Sequence, residues 1–239
     1  MSLDFKQLAR EALSRQIVTD NGDGTINVKG NLHIEFPLSY LPRIRNMIGN
    51  FDCITNEYMT TLEGSPMYVI GDFSCDSCPL LTSFKGAPLI VKDGFWCAGC
   101  PLESLLDAPQ IVGGIFDCNN SHKLRSLEGA PIIVGGDFYC QSCESLETLK
   151  GAPKKINGGF VCRGNKSLTT LKGAPEIVNG NFDCDNCKSL ISLEGAPDQV
   201  TGNFSCNGCH SLISLIGVPK SIGGIFYHIR HYNHGSTQN

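Results

Sequence analysis

The chain has 239 residues, 41% of them hydrophobic and 18% charged, with a formal net charge of -4, a balance that suits a soluble repeat or globular protein and excludes a disordered one. No basic surplus points to direct nucleic-acid binding, and no apolar run reaches the length that spans a bilayer, so neither nucleic acid nor membrane is an expected partner. Thirteen cysteines, an odd number with no export signal ahead of them, indicate reduced thiols and a cytoplasmic protein.

In chain order, "LDFKQLAREALSRQ" places Phe5, Leu8, Ala12 and Leu13 on one helical face, which predicts an amphipathic cap. "DNGDGTINVKG" follows with Asn-Gly and Asp-Gly, the signals of a tight turn before a strand. Residues 1–27 are therefore expected to form an N-terminal helical cap and turn, and 28–231 a solenoid. The stretch "GNLHIEFPLSYLPRIRNMIGNFDC" reads as a degenerate first turn, with Leu32 and Ile34 standing where Phe and Cys appear later. Residues 232–239 are expected to be a frayed tail.

From there the text repeats. Pro66, Pro88, Pro109, Pro131, Pro153, Pro175, Pro197 and Pro219 recur every 22 residues, with one interval of 21, which is a solenoid period. Phe51, Phe73, Phe95, Phe116, Phe138, Phe160, Phe182, Phe204 and Phe226 form one apolar column. Two residues on stand Cys53, Cys75, Cys97, Cys118, Cys140, Cys162, Cys184, Cys206 and finally His228. Phe-x-Cys is a short strand with two inward residues, and leucines such as Leu124 and Leu127 fill the return side. The column Val69, Val91, Val112, Val134, Ile156, Val178, Val200 and Ile222 closes each turn. Gly-Ala-Pro followed by Gly-Gly leaves no room for a helix within a repeat. The expected fold is mainly β, a solenoid of 22-residue turns with one parallel sheet on the Phe column, about 40 Å long.

The pattern Val-x-x-x-Phe-x-Cys-x-x-(Cys/Asn)-x-x-Leu-x-x-Leu resembles the leucine-rich repeat over residues 28 to 231. That resemblance puts Phe and Cys in its strand leucine positions and Cys78, Cys143, Asn165, Cys187 and Cys209 in its asparagine-ladder position. The Gly-Ala-Pro, Gly-Gly and Phe-x-Cys wording is similar to short leucine-rich-repeat-like proteins of tailed bacteriophages and some bacteria. The resemblance implies an architecture and a binding surface, not a particular activity.

CxxC recurs at Cys75/Cys78, Cys97/Cys100, Cys140/Cys143, Cys184/Cys187 and Cys206/Cys209. Zinc needs four converging ligands, and redox work needs an exposed, activated thiolate. An inward first cysteine and a second that alternates with Asn56, Ser121 and Asn165 fit neither need. They read as a core column and a ladder of small side chains serving backbone groups, so no cofactor is expected. The alternative metal set lies in the last turn, where Cys206, Cys209, His228 and His231 would be neighbours.

Function is expected on the outward strand positions. They bring Asp52, Asp72, Asp76, Asp117, Asp137, Asp183 and Asp185 to one face, with Gln141 and a single basic residue, Arg163. The only tryptophan, Trp96, and Tyr139 take the same strand position with Asp117 between them and Ile115 beside them. Exposed aromatics on a regular sheet anchor protein interfaces. The turn carrying Trp96 is the one shortened by a residue, which predicts a perturbed loop next to the patch. No catalytic Ser/His/Asp set and no nucleotide glycine motif is found, so the expectation is a non-catalytic module that binds another protein. The phage resemblance implies, by analogy alone, a bacterial host partner such as a defence protein, blocked by occlusion. The alternatives are an acidic nucleic-acid mimic that occupies a DNA- or RNA-binding protein, and a zinc-binding or redox-responsive protein.

Overall fold

The computed structural model describes residues 4–228. Helix α1 (Phe5–Ser14) begins at Asp4, whose carboxylate accepts from the Lys6 and Gln7 amides, satisfying two of the donors left open at a helix start. As expected, Phe5, Leu8, Ala12 and Leu13 pack on the first turn, and the Phe5 ring meets Tyr40 and Tyr58 at 5.4 and 5.2 Å. Strand β1 (Ile17–Asp20) folds back antiparallel on β2 (Ile26–Lys29) through the Asn-Gly and Asp-Gly turn. Strand β2 then begins the repeating architecture.

The repeats wind into a β-solenoid of 22-residue turns. It has two parallel sheets where the sequence predicted one. The Phe column forms a 10-stranded sheet, about 43 Å long at the usual strand spacing. The Val column does not merely close each turn: it pairs in register as an 11-stranded sheet, whose first pair alone is antiparallel. Each strand is so short, mostly two residues, that only the stacking of turns holds it, as a quasi-one-dimensional protein requires. Two residues cannot display an alternating pattern, and for that reason the second sheet is not visible in a single repeat.

Between the sheets the Phe rings stack with centroids 5.1 to 5.7 Å apart from Phe51 to Phe204, all fully buried. Leu32 pairs with Phe51, so the degenerate first turn holds the register read from the sequence. The one-residue deletion is absorbed locally. In the other turns the leucine amide reaches back three residues, as Leu124 does to Ser121, whereas Leu102 reaches back two, to the Cys100 carbonyl at 2.8 Å. The strand register beside it, Phe95 on Phe116 and Trp96 on Asp117, is unbroken, so the perturbation expected there stays out of the strand face.

The two cysteine columns behave as expected of core and ladder. All thirteen thiols are free and buried. The second cysteine of each pair donates to the carbonyl of the first cysteine one turn back: Cys78 to Cys53 at 3.1 Å, Cys100 to Cys75 at 3.0 Å, Cys143 to Cys118 and Cys187 to Cys162 at 3.3 Å. Asn165 does the same through Nδ2 to Cys140 at 2.9 Å and adds a bond to the Cys162 carbonyl at 2.8 Å. Just before this ladder residue the chain enters the left-handed region in eight successive turns, at Thr55, Ser77, Gly99, Asn120, Ser142, Gly164, Asn186 and Gly208. That conformation explains why Gly, Asn and small residues fill the position.

Candidate functional site

The outward face of the Phe sheet carries a central row in continuous register: His33, Asp52, Ser74, Trp96, Asp117, Tyr139, Val161, Asp183, Ser205 and Tyr227. Two flanking columns run beside it, through Asp72, Ile115 and Asp137 on one side and through Asp76, Gln141 and Arg163 on the other. Much of the acidity of these columns is structural. Asp72 Oδ1 accepts from the Gly94 amide at 2.7 Å and Asp137 Oδ1 from Gly159 at 2.6 Å, while Asp76 and Asp185 do the same for Ala98 and Asn207 at 2.6 Å. Within the row, Asp52, Asp117 and Asp183 each accept from the amide two residues on, at 3.1, 2.8 and 2.9 Å. An Asp at these positions is thus a turn-to-turn or local brace as well as a charge.

Ser74 is small, and its place between Asp52 and Trp96 opens a groove of about 520 Å³. His33 bounds it at one end and Trp96 at the other, with Asp52, Asp72 and Asp76 along its walls. The indole is laid down by Gly94: a Cβ there would stand 2.4 Å from Trp96 Nε1. The missing side chain is what lets the ring lie along the sheet. His33, at the mouth, was not singled out by the sequence, nor was Ser74. Their shared signal is position, since both occupy the outward place between the two inward residues of a strand. His33 Nδ1 lies 3.0 Å from Asp52 Oδ2 and Nε2 lies 3.2 Å from Glu35. Desolvation lowers its affinity for a proton, but the two carboxylates outweigh that and raise its pKa. His33, Asp52 and Ser74 are a His, an Asp and a Ser in one row, yet Asp52 stands between the other two. No proton passes from Ser74 to His33 across two strand spacings, about 10 Å, so this set does not activate a nucleophile.

Beyond the groove, Asp117 is sandwiched between Trp96 and Tyr139 and is only 9% exposed. Burial, aided by the charge of Asp76, raises its pKa to about 6. Tyr139 Oη donates to Asp137 Oδ2 at 2.7 Å, which fixes the ring tip and raises the phenol to about 12. Ile115 and Gln141 flank this cluster, half-buried. Trp96, Ile115, Asp117, Asp137, Tyr139 and Gln141 are thus brought together, and Asp52 and Asp72 join Trp96 across the groove. Arg163 and Asp183 lie further along, with Arg163 Nη1 3.9 Å from Asp183 Oδ2.

At the far end Cys206 Sγ and His228 Nδ1 are 3.6 Å apart, while Cys209 donates to the Cys184 carbonyl at 3.2 Å. His231 lies outside the described residues. Among the described residues no three Cys, His, Asp or Glu side chains are placed to hold a metal. Burial pushes the thiols of Cys53, Cys97, Cys140 and Cys162 well above the ordinary cysteine range, and that of Cys206 to about 12. A thiol so placed holds almost no thiolate at neutral pH. No helix of the described residues is long and apolar enough to cross a membrane. Compared with protein-family models, curated proteins and solved structures, the chain matches none.

Proposed function

We propose that this chain is a non-catalytic protein-binding module whose outward Phe-sheet face receives a basic segment of a partner protein. One observation carries the reading: the groove between His33 and Trp96 joins an aromatic wall to the carboxylates of Asp52, Asp72 and Asp76. An aromatic face beside carboxylates is the environment that suits a guanidinium or ammonium group. Trp96 and Tyr139, braced by Gly94 and Asp137, are ordered in advance, which lowers the entropy lost on binding. The resemblance to phage repeat proteins extends the proposal to a bacterial host protein, such as a defence component in the cytoplasm, blocked by occlusion.

The nucleic-acid-mimic reading draws less support. Its central column of charge is interrupted at Ser74, Trp96, Tyr139, Val161 and Ser205. Each carboxylate of the row is also tied to a backbone amide.

The test uses Trp96 as its own reporter, because it is the only tryptophan. Titration with a short arginine-containing peptide is expected to shift Trp96 emission saturably, and Asp72→Asn/Asp76→Asn is expected to weaken the response on the order of 10-fold, the worth of about 1.4 kcal/mol. An unchanged emission in wild type, or an equal response in the variant, overturns the basic-segment reading.

A further inference from the structure

We infer that the C-terminal end of the solenoid is the interface of a homodimer in which two copies meet end to end. The inference stands apart from the strand-face reading and rests on the last described turn.

That turn gathers in one place outward apolar residues that occur singly in earlier turns, as Leu106 does in the column of Ile216 and Ile115 in that of Ile225. Ile216, 73% exposed, stands where Glu128, Lys150, Lys172 and Glu194 supply charged partners to their neighbouring turns. Val218 replaces the alanine of Gly-Ala-Pro. Ile225, 57% exposed, follows Asn181 and Asn203 in a column where each Asn Oδ1 accepts the amide of the next turn at 2.8 Å. Isoleucine offers no side-chain acceptor to a neighbouring turn, as Ile115 offers none in the same column. Leu215 is 37% exposed although Leu127, Leu149, Leu171 and Leu193 in its column are fully buried. A solenoid end that faces water is expected to be polar. This one is apolar.

A second copy of the chain is the occupant that fits. The molecule is net negative and its strand face is acidic, so two copies repel each other across that face. Residues 211–228 contain no Asp or Glu and one charged base, Lys220, which is paired with Asp198 at 2.9 Å. Two identical surfaces of this composition approach without repulsion between like charges. The edge strands Ser221–Ile222 and Phe226–Tyr227 have a neighbour on one side only among the described residues, which leaves backbone groups open for pairing. The opposite end carries α1 and the antiparallel strand β1, a surface unlike this one, and two C-terminal ends that meet each other close as an isologous dimer.

Sedimentation equilibrium of the full chain is expected to give twice the 25.8 kDa of one chain, with the dimer persisting at high salt because apolar contact holds it. Ile216→Glu and, separately, Ile225→Asn restore the residue types of the preceding turn and are expected to lower the dimer affinity at least 10-fold with the circular dichroism spectrum unchanged. As a check that needs no variant, amide exchange over residues 213–228 is expected to slow as wild-type concentration rises. A wild-type monomer at about 100 µM, a dimer untouched by both substitutions, or concentration-independent exchange overturns the inference. So does a monomer that dimerises only when the chain is cut after His228, since residues 229–239 would then be what covers this end.

Discussion

Gly94 illustrates how one residue sets the site. Its hydrogen leaves the space that the Trp96 indole fills, and its amide is held by Asp72. In Gly94→Ala the new methyl meets the far end of a movable side chain, so the fold is expected to survive while Trp96 emission shifts red and partner affinity falls. Unaltered emission would mean that the indole is held by something else. Asp117 carries a pH signature. Its folded pKa, near 6, lies above the unfolded value, so ionisation opposes folding: the penalty is absent below pH 4, grows between pH 4 and 6, and is complete above. Asp117→Asn keeps the acceptor for the Asn119 amide and removes that penalty. At pH 8 it is expected to raise Tm by about 2–6 °C, from about 1–2 kcal/mol after solvent screening, with the gain vanishing below pH 4. An equal gain at pH 4 and 8 would contradict the assignment. That Trp96, Asp117 and Tyr139 share one row was legible from their spacing. Which carboxylates brace amides was not, because an Asp that caps an amide and one that meets only water are the same letter.

At the scale of the repeating element, the CxxC motif is a hydrogen-bonding device, and the sequence disclosed this by alternating Cys with Asn, a residue that donates better than a thiol but ligates zinc poorly. Ser121 is the weak member. It is fully buried and its Oγ, on a shorter bond than a cysteine's Sγ and an atom nearer the backbone than an asparagine's Nδ2, has no hydrogen-bond partner. Ser121→Cys places a donor toward the Cys97 carbonyl and is expected to stabilise the protein by about 1 kcal/mol, or about 2–4 °C in Tm. A lower Tm would show that the ladder does not extend through the shortened turn. The second sheet lay beyond single-repeat reading for a physical reason: a two-residue strand is defined by its neighbours 22 residues away, not by its own pattern. The groove was hidden likewise, because it arises from a small residue, Ser74, between two large ones on adjacent turns.

Over the whole molecule, the columns legible in the sequence correctly gave a solenoid with a helical cap, since a 22-residue period with inward Phe, Cys, Val and Leu admits few other ways to bury them. Stacking fixes the outward row at regular spacing, so the proposed partner would meet a preformed surface about 43 Å long. An end-to-end dimer would display two such faces and strengthen attachment to a multivalent partner through effective concentration. The central claim, that this face binds a protein, is tested most directly by capture from bacterial lysate on the wild-type chain beside Trp96→Ala/Tyr139→Ala, with matched circular dichroism. The expected result is a protein retained in stoichiometric amount by the wild type and lost by the variant, an affinity drop on the order of 30-fold or more for two central aromatics. The same protein retained equally by both would contradict it.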